Sequence, residues 1–591
     1  MYKQFFKKYW AIAVLLVIIL LAGFLRSWHL EEYALFRADQ ARDAYLAKDI
    51  TENGWGYLKL LGPKAGATIA VGGIKSSFKL GPVYHYLQYF GVILFNSLNV
   101  RSLLLIDWLL LLASIGLFYF LVRTFFNKKI SLTVTILFAF SYLLTLYSRF
   151  AWNINQIIFW ELLAVASILK IIQKEIYYWR QRWFLVLVFA LSVIGQLHIL
   201  AGVAFCFIFL AMFVIYHPKI NWQYWLGGVV IVLVLYTPMI ISDVYNQGDN
   251  FKRLLRASEV ERRAQGSFME KIVKVSLYHG KNYALILTGA NKYDYKKIAQ
   301  AGDWFIVLSL ILIRIALFRK RILGISRLPK IFIRQVNKMF KLTPQQKQFL
   351  IVVSLWFFAF FLIYFRILPR LHKERYWLMI APLPFIFVAF WFYILDRLGS
   401  GEFKFWNRHI TNGLIIIISI IILFSNLTAI KSFYQSMNKG ELVPNKYHKK
   451  VTVGPYRFFT GYGEMRAIAD YLVTNKKEQS AVCFKSLEYQ NKLAFEYLLD
   501  TYYPDVHYKQ ASEGGKYDCS FYIITKTSRG ARELKDFKDN YKISQKKVFK
   551  SLTVWKLTSK NSNKERIKIK KKERLRENDG RVIYWKDIFT N

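Results

Sequence analysis

Residues 10–28 read WAIAVLLVIILLAGFLRSW, an apolar run whose only charge is Arg26 near its end. A helix rises about 1.5 Å per residue, so such a run is long enough to cross a hydrocarbon layer about 30 Å thick. The preceding MYKQFFKKY supplies a basic flank, and no small-residue cleavage site precedes Arg26, so the run reads as a retained first span. Comparable apolar stretches recur near 102–122, 131–147, 154–172, 183–197, 199–216, 222–241, 303–318, 348–367, 376–395 and 411–430. The expectation is an all-α polytopic membrane protein with about eleven transmembrane helices.

Composition agrees with that class. Hydrophobic residues make up 55% of the 591, more than a soluble chain needs for its cores. Lys and Arg number 83 against 37 Asp and Glu, a net charge of +46 that would point to nucleic acid in a soluble protein. Here much of the excess lies in short loops between spans, where the positive-inside bias and anionic headgroups account for it. Nucleic acid is therefore not an expected partner; the lipid bilayer is.

Loop charge also orients the chain. With the N-terminus in the cytoplasm, the basic loops 123–129, 170–182, 217–219, 319–347 and 397–409 all fall inside. Segment 82–98 is apolar as well, but counting it as a span would place RTFFNKK and KEIYYWRQR outside, so it reads as an amphipathic interfacial helix within a long outer loop, 29–101. The transmembrane domain then covers 1–430. From 431 to 558 the pattern changes: 463–474 and 491–502 look like amphipathic helices, while SAVCF, SFYIITK and SLTVWKL look like strands, as in a small extracytoplasmic α/β domain. The basic run KERIKIKKKERLR marks 559–591 as a tail expected to be disordered or to lie on headgroups. Cys483 and Cys519 can pair if that region lies outside the cytoplasm, a point the sequence leaves open.

No soluble-enzyme signature is present: no phosphate loop, dinucleotide fingerprint, zinc-spaced Cys or His pair, or nucleophile elbow. Four outer-face features stand out instead. In FRADQARD (36–43), Asp39 and Asp43 share a helix face with Arg42 alongside, either a self-paired surface or carboxylates placed for acid–base work. SRFAWN (148–153) sets Arg149 and Asn153 between two spans, as an interfacial anchor or part of a site. Gln196 and His198 occupy a turn between two short spans, which should dip below the outer surface, where polar groups need protein or a wet cavity around them. RLHKERY (370–376) places Arg370, His372, Lys373 and Arg375 on the side the charge bias disfavours, either as a site for a bound anion such as the donor phosphate or as a surface turn balanced by Glu374 and headgroups.

The stretches FRADQARDAYLAKDI, GPVYHYLQYFGVILF, SRFAWNINQ and QLH together resemble the bacterial C-type glycosyltransferases of the protein O-mannosyltransferase and aminoarabinose transferase superfamily, which use polyprenyl-phosphate sugars. The resemblance runs over residues 1–430. It implies a C-type glycosyltransferase fold and a catalytic Asp at position 39. Gln40 stands where relatives carry Glu, and Asn153 matches a second acidic position of some relatives, so neither a carboxylate pair nor a metal requirement carries over; a divalent metal stays open. The function expected is inverting transfer of a sugar from a polyprenyl-phosphate donor to a hydroxyl of a protein, glycan or lipid acceptor at the extracytoplasmic face of the cell membrane. A transporter or flippase of lipid-linked sugars, or a non-catalytic lipid-head-binding protein, are the rival readings; no half-to-half repeat of the kind transporters show is evident.

Overall fold

The computed structural model of the chain describes all residues except 1, 66–68, 72–73, 77, 174–176, 260–266, 290–294, 326–339, 369–370, 372, 400–406, 442–459, 479, 488–490, 511–518, 561–581 and 590–591. Among the described residues nine helices are long and apolar enough to cross a membrane. Their outward faces carry large bare hydrophobics, among them Leu20 at 71%, Val214 at 67% and Val234 at 65% exposure. Apolar surface on that scale needs lipid as its solvent, and the chain is a multi-pass membrane protein. Depth in the bundle varies: 72% of the span within Pro382–Gly399 is buried, against 17% of that within Trp222–Tyr245.

The two other apolar stretches also form helices, but shorter ones. Ile157–Ile172 has 16 residues and is almost wholly buried. The stretch expected as one span at 131–147 is two helices, Lys128–Ala139 and Tyr142–Tyr147. Neither Pro nor Gly causes this break. Polar side chains take over the freed backbone groups: the Ser141 hydroxyl donates to Ile286 O at 2.8 Å, and Asn426 Oδ1 accepts the Tyr142 N–H at 2.7 Å while its Nδ2 donates to Leu287 O. Side-chain rescue of this kind is what permits irregular backbone in a bundle interior.

Segment 82–98 contains a 13-residue helix, Val83–Phe95. The first long connection also holds the helix Ala38–Asn53 and an antiparallel ladder in which the Gly62 N–H reaches Leu80 O and the Leu80 N–H reaches Pro63 O. Gly62 is required there, since a Cβ would stand 2.1 Å from Gly81 O.

The C-terminal domain packs on this same end of the bundle. Its five-stranded sheet runs in the order Tyr508–Gln510, Ala481–Ser486, Cys519–Lys526, Leu552–Ser559, Tyr541–Val548, parallel in the first two pairings and antiparallel in the last two. Helices Tyr462–Thr474 and Lys492–Tyr502 join its apolar face to the first connection. The junction is specific: Phe36 meets the Tyr462 ring, Tyr45 meets Tyr497, the Tyr45 hydroxyl donates to Asp500 at 2.6 Å, and Lys550 pairs with Glu32. Cys483 and Cys519 form a disulfide.

Of the tail expected at 559–591, the structure describes only part. Residues 561–581, with the whole basic run, lie outside the described residues, but 582–589 form a segment that returns to the first connection. There the Trp585 N–H donates to Leu58 O at 3.1 Å and the Leu60 N–H to Ile583 O at 3.2 Å.

Candidate active site

The helix Ala38–Asn53 begins where Gln40 Oε1 accepts the Arg37 N–H at 3.2 Å, and Gln40 Nε2 donates to Ala151 O at 3.1 Å. Gln40 is buried and ties the helix start to the 148–153 connection. Asp39 sits in the first turn, where the helix dipole favours a carboxylate. It is 53% exposed and meets Arg42 Nη1 at 3.3 Å. Asp43 is 1% exposed, and its Oδ1 accepts from Arg42 Nε at 2.8 Å and Nη2 at 2.7 Å. Burial raises the Asp43 pKa above the usual carboxylate value while the Arg42 charge and hydrogen bond pull against it. One guanidinium thus joins two carboxylates of different character: an accessible one that can meet a substrate, and a buried one that anchors Arg42.

The 148–153 connection is pinned on three sides. Asp107, buried in the helix Val100–Arg123, accepts the Trp152 N–H at 3.0 Å. Asn153 Nδ2 donates to Leu197 O at 2.8 Å, linking the connection to the His198 turn. Arg149 is fully buried and donates to Arg26 O, His29 O and the Tyr434 hydroxyl, so it clamps the first helix to the bundle. Beside Asn153, the Arg375 guanidinium lies over the rings of Trp152 at 5.3 Å and Tyr376 at 5.2 Å, and the His198 ring meets Tyr376 edge-on. Stacking of this kind fixes a guanidinium plane, and Arg375 Nη2 also donates to the Tyr376 hydroxyl at 3.4 Å.

Two cavities open at this end of the molecule, and Asp39, Arg42, Pro63 and Lys64 line both. The larger, about 670 Å³, descends among the helices past Trp152, Asn153, His198 and Arg375 to Val203 and Leu255. The smaller, about 450 Å³, lies against the C-terminal domain and is lined by Lys59, Lys79, His85, Lys492, Glu496 and Ile583, among others. Burial, then the Arg42 and Lys59 charges, hold the His85 pKa well below its ordinary value, so its imidazole is neutral near pH 7.

Of the residues singled out in the sequence, Asp39, Arg42, Asn153, His198 and Arg375 converge on the larger cavity. Asp43 and Arg149 are buried behind it as anchors, and Lys373 is exposed and lines neither cavity. Arg370 and His372 lie outside the described residues. Sequence reasoning passed over Asp107, although a lone acid inside an apolar span is itself a signal, and it passed over Lys64 and His85. Among the described residues no group of three or more His, Cys, Asp and Glu could hold a metal ion. Asp39 is engaged by Arg42, a donor set that does not fit a divalent cation.

No family model and no curated protein matches the chain. Among solved structures, ArnT from Cupriavidus metallidurans is similar in its apo state, with a TM-score of 0.48 and 13% identity over 92% of this chain and 97% of that one. Its undecaprenyl-phosphate-bound form gives 0.49 and 12% over the same shares. The Archaeoglobus fulgidus oligosaccharyltransferase tethered to an acceptor peptide gives 0.46 and 13% over 89% of this chain and 70% of that one. At these values the likeness is one of overall arrangement.

Proposed function

We propose that this chain is a membrane glycosyltransferase that moves a sugar from a polyprenyl-phosphate carrier to an acceptor hydroxyl, with Asp39 as general base and inversion at the anomeric carbon. The observation that carries the reading is the meeting of two chambers at the Asp39–Arg42 pair, one running down among apolar helices and one opening toward the C-terminal domain. Val203 is 56% and Leu255 51% exposed at the margin of the larger chamber, which suits lateral entry of an isoprenoid chain from the bilayer.

In that arrangement the donor phosphate sits beside Arg375, with Lys64 and Arg42 within the same chamber. The acceptor enters the smaller chamber. As its oxygen bonds to the anomeric carbon, its proton passes to Asp39, and the bond from that carbon to the phosphate oxygen breaks. The electron pair leaves with the polyprenyl phosphate, whose charge rises from about −1 to −2, and the cations are placed where that charge grows. Inversion requires attack and departure on opposite sides of the anomeric carbon, which in this reading are an acceptor in the smaller chamber and a phosphate in the larger.

The C-terminal domain and the first long connection are assigned to the extracytoplasmic face of the cell membrane. Loop charges favour this side, and the Cys483–Cys519 disulfide suits an oxidising compartment. The acceptor class, whether protein, glycan or lipid, is set by the smaller chamber. The test is incubation of the purified chain with polyprenyl-phosphate sugars and measurement of free polyprenyl phosphate. Release dependent on an acceptor supports the reading; binding without release for every donor tried would reject it.

A further inference from the structure

The ordered segment 582–589 is separated by more than five hundred positions from the connection it pairs with, yet its docking is built on several independent contacts. Two backbone hydrogen bonds join it to Leu58 and Leu60. The Trp585 indole N–H donates to the Tyr86 hydroxyl at 2.9 Å, and that hydroxyl donates to Lys59 O at 3.0 Å. Phe589 packs on Trp55 and Trp585, Tyr584 lies by Tyr57, and the Lys586 ammonium sits 3.8 Å from the Tyr57 ring centroid. Gly56 allows the approach, since a Cβ there would stand 3.2 Å from Lys586 Cβ. At the start of this docked segment, Val582 and Ile583 form part of the wall of the smaller chamber, the same chamber that holds Asp39 and Arg42. Ile583 is only 5% exposed, so the side chain is packed into that wall.

We propose that the 582–589 segment is a specificity-determining wall of the acceptor chamber, with Ile583 shaping the space an acceptor occupies and Trp585 positioning it through Tyr86. This rests on reading the smaller chamber as the acceptor side. It does not touch the donor side, because no residue of the segment lines the larger chamber. The lining of that chamber combines the apolar Val582 and Ile583 with Lys59, Lys64 and Lys79, so an acceptor is selected by both shape and charge.

The test uses the full chain with Ile583→Ala, which shortens the wall, and Trp585→Ala, which releases the latch. Steady-state transfer is measured with a polyprenyl-phosphate sugar and two probe acceptors, a threonine-containing peptide and octyl glucoside. Removing methylenes from a recognition pocket typically changes discrimination by about 10-fold or more. The expected result is a change of about that size in acceptor KM, or in the ratio between the two acceptors, with donor KM within about 2-fold of wild type. Amide exchange at Leu60, whose N–H is bonded across the latch, is followed in parallel and should quicken in Trp585→Ala. Unaltered acceptor kinetics in both variants, with Leu60 exchange raised, would show a docked segment that does not shape the chamber and would overturn the proposal. Absence of transfer by wild type to either acceptor overturns the acceptor-chamber reading and the proposal with it, and is told apart by failing before any variant is compared.

Discussion

Replacing Asp43 by Asn separates two roles that a carboxylate one turn from Asp39 can have. Asp43 is buried and takes two hydrogen bonds from Arg42 on one oxygen, while Arg42 is 28% exposed. Removing one partner of a buried pair costs about 3–5 kcal/mol. Two features of the structure reduce that figure. Water reaches Arg42, and burial already raises the Asp43 pKa, so neutral Asn is spared a desolvation cost that the carboxylate bears. The loss of stability should therefore be about 1–2 kcal/mol, within the range of ordinary destabilising substitutions. The effect on rate is expected to come through Arg42, which no longer stays fixed beside Asp39; a displacement of about 1 Å can cost up to about 100-fold. Transfer should thus fall about 10- to 100-fold in Asp43→Asn. The assay is a double-mutant cycle on kcat/KM with Arg42→Ala. If Asp43 acts by holding Arg42, Asp43→Asn adds little once Arg42 is gone, a coupling of about 1–3 kcal/mol. A full further loss of about 10²-fold or more in the Arg42→Ala background would mean that Asp43 handles the proton itself, refuting the division of labour between the two carboxylates.

Three further outcomes follow from the same geometry. Arg375→Gln should raise donor KM or lower turnover by about 10- to 100-fold, the worth of a hydrogen bond to a charged group, and Arg375→Lys should recover only part, because the planar group stacked on Trp152 is lost; donor kinetics equal to wild type would remove Arg375 from the phosphate site. The Cys483–Cys519 bond closes a separation of 36 residues, so Cys483→Ser with Cys519→Ser should lower the domain's stability by about 3–4 kcal/mol on the chain-entropy account, read from amide hydrogen exchange in the strands Ala481–Ser486 and Cys519–Lys526; unchanged exchange contradicts it. Glu464 is buried, and its carboxylate accepts the Ser551 and Leu552 N–H groups at 2.6 and 2.9 Å; burial raises its pKa above 4.5 despite these bonds. A raised folded-state pKa contributes stability that is complete below the unfolded value and lost as pH rises through the folded value. The domain should gain stability on acidification toward pH 4.5, and Glu464→Gln should flatten that gain; an identical pH profile in the variant would show that Glu464 does not set it.

The long apolar helices were legible because composition alone identifies a segment that can cross lipid, and the convergence of Asp39, Arg42, Asn153, His198 and Arg375 followed from taking the polar content of one set of loops together. Depth was not legible. Asp39 and Asp43 have the spacing of one helix face, but packing of that helix against the bundle leaves one half exposed and buries the other. The break at Phe140–Ser141 carries no Pro or Gly, and Asn426, which accepts the Tyr142 N–H there, is remote in sequence. The strand Tyr541–Val548 was missed because, as an exposed and Lys-rich edge, it lacks the alternating apolar pattern that announces a half-buried strand. The ordered end of the tail escaped for a related reason: a stretch as short as VIYWKDIF shows no periodicity of its own, and the ladder that orders it belongs to the opposite end of the chain.

In the proposed mechanism Asp39 takes the acceptor proton during sugar transfer. Its most direct test is release of polyprenyl phosphate and formation of glycosylated acceptor by wild type and Asp39→Asn, with donor binding measured in both. Asn keeps the size and most hydrogen bonding of Asp but removes its basicity, and a general base contributes about 10²- to 10⁴-fold. Donor binding should stay within a few-fold of wild type while the transfer rate falls by about that factor. Near-wild-type transfer by an Asp39→Asn protein that binds donor normally would contradict it.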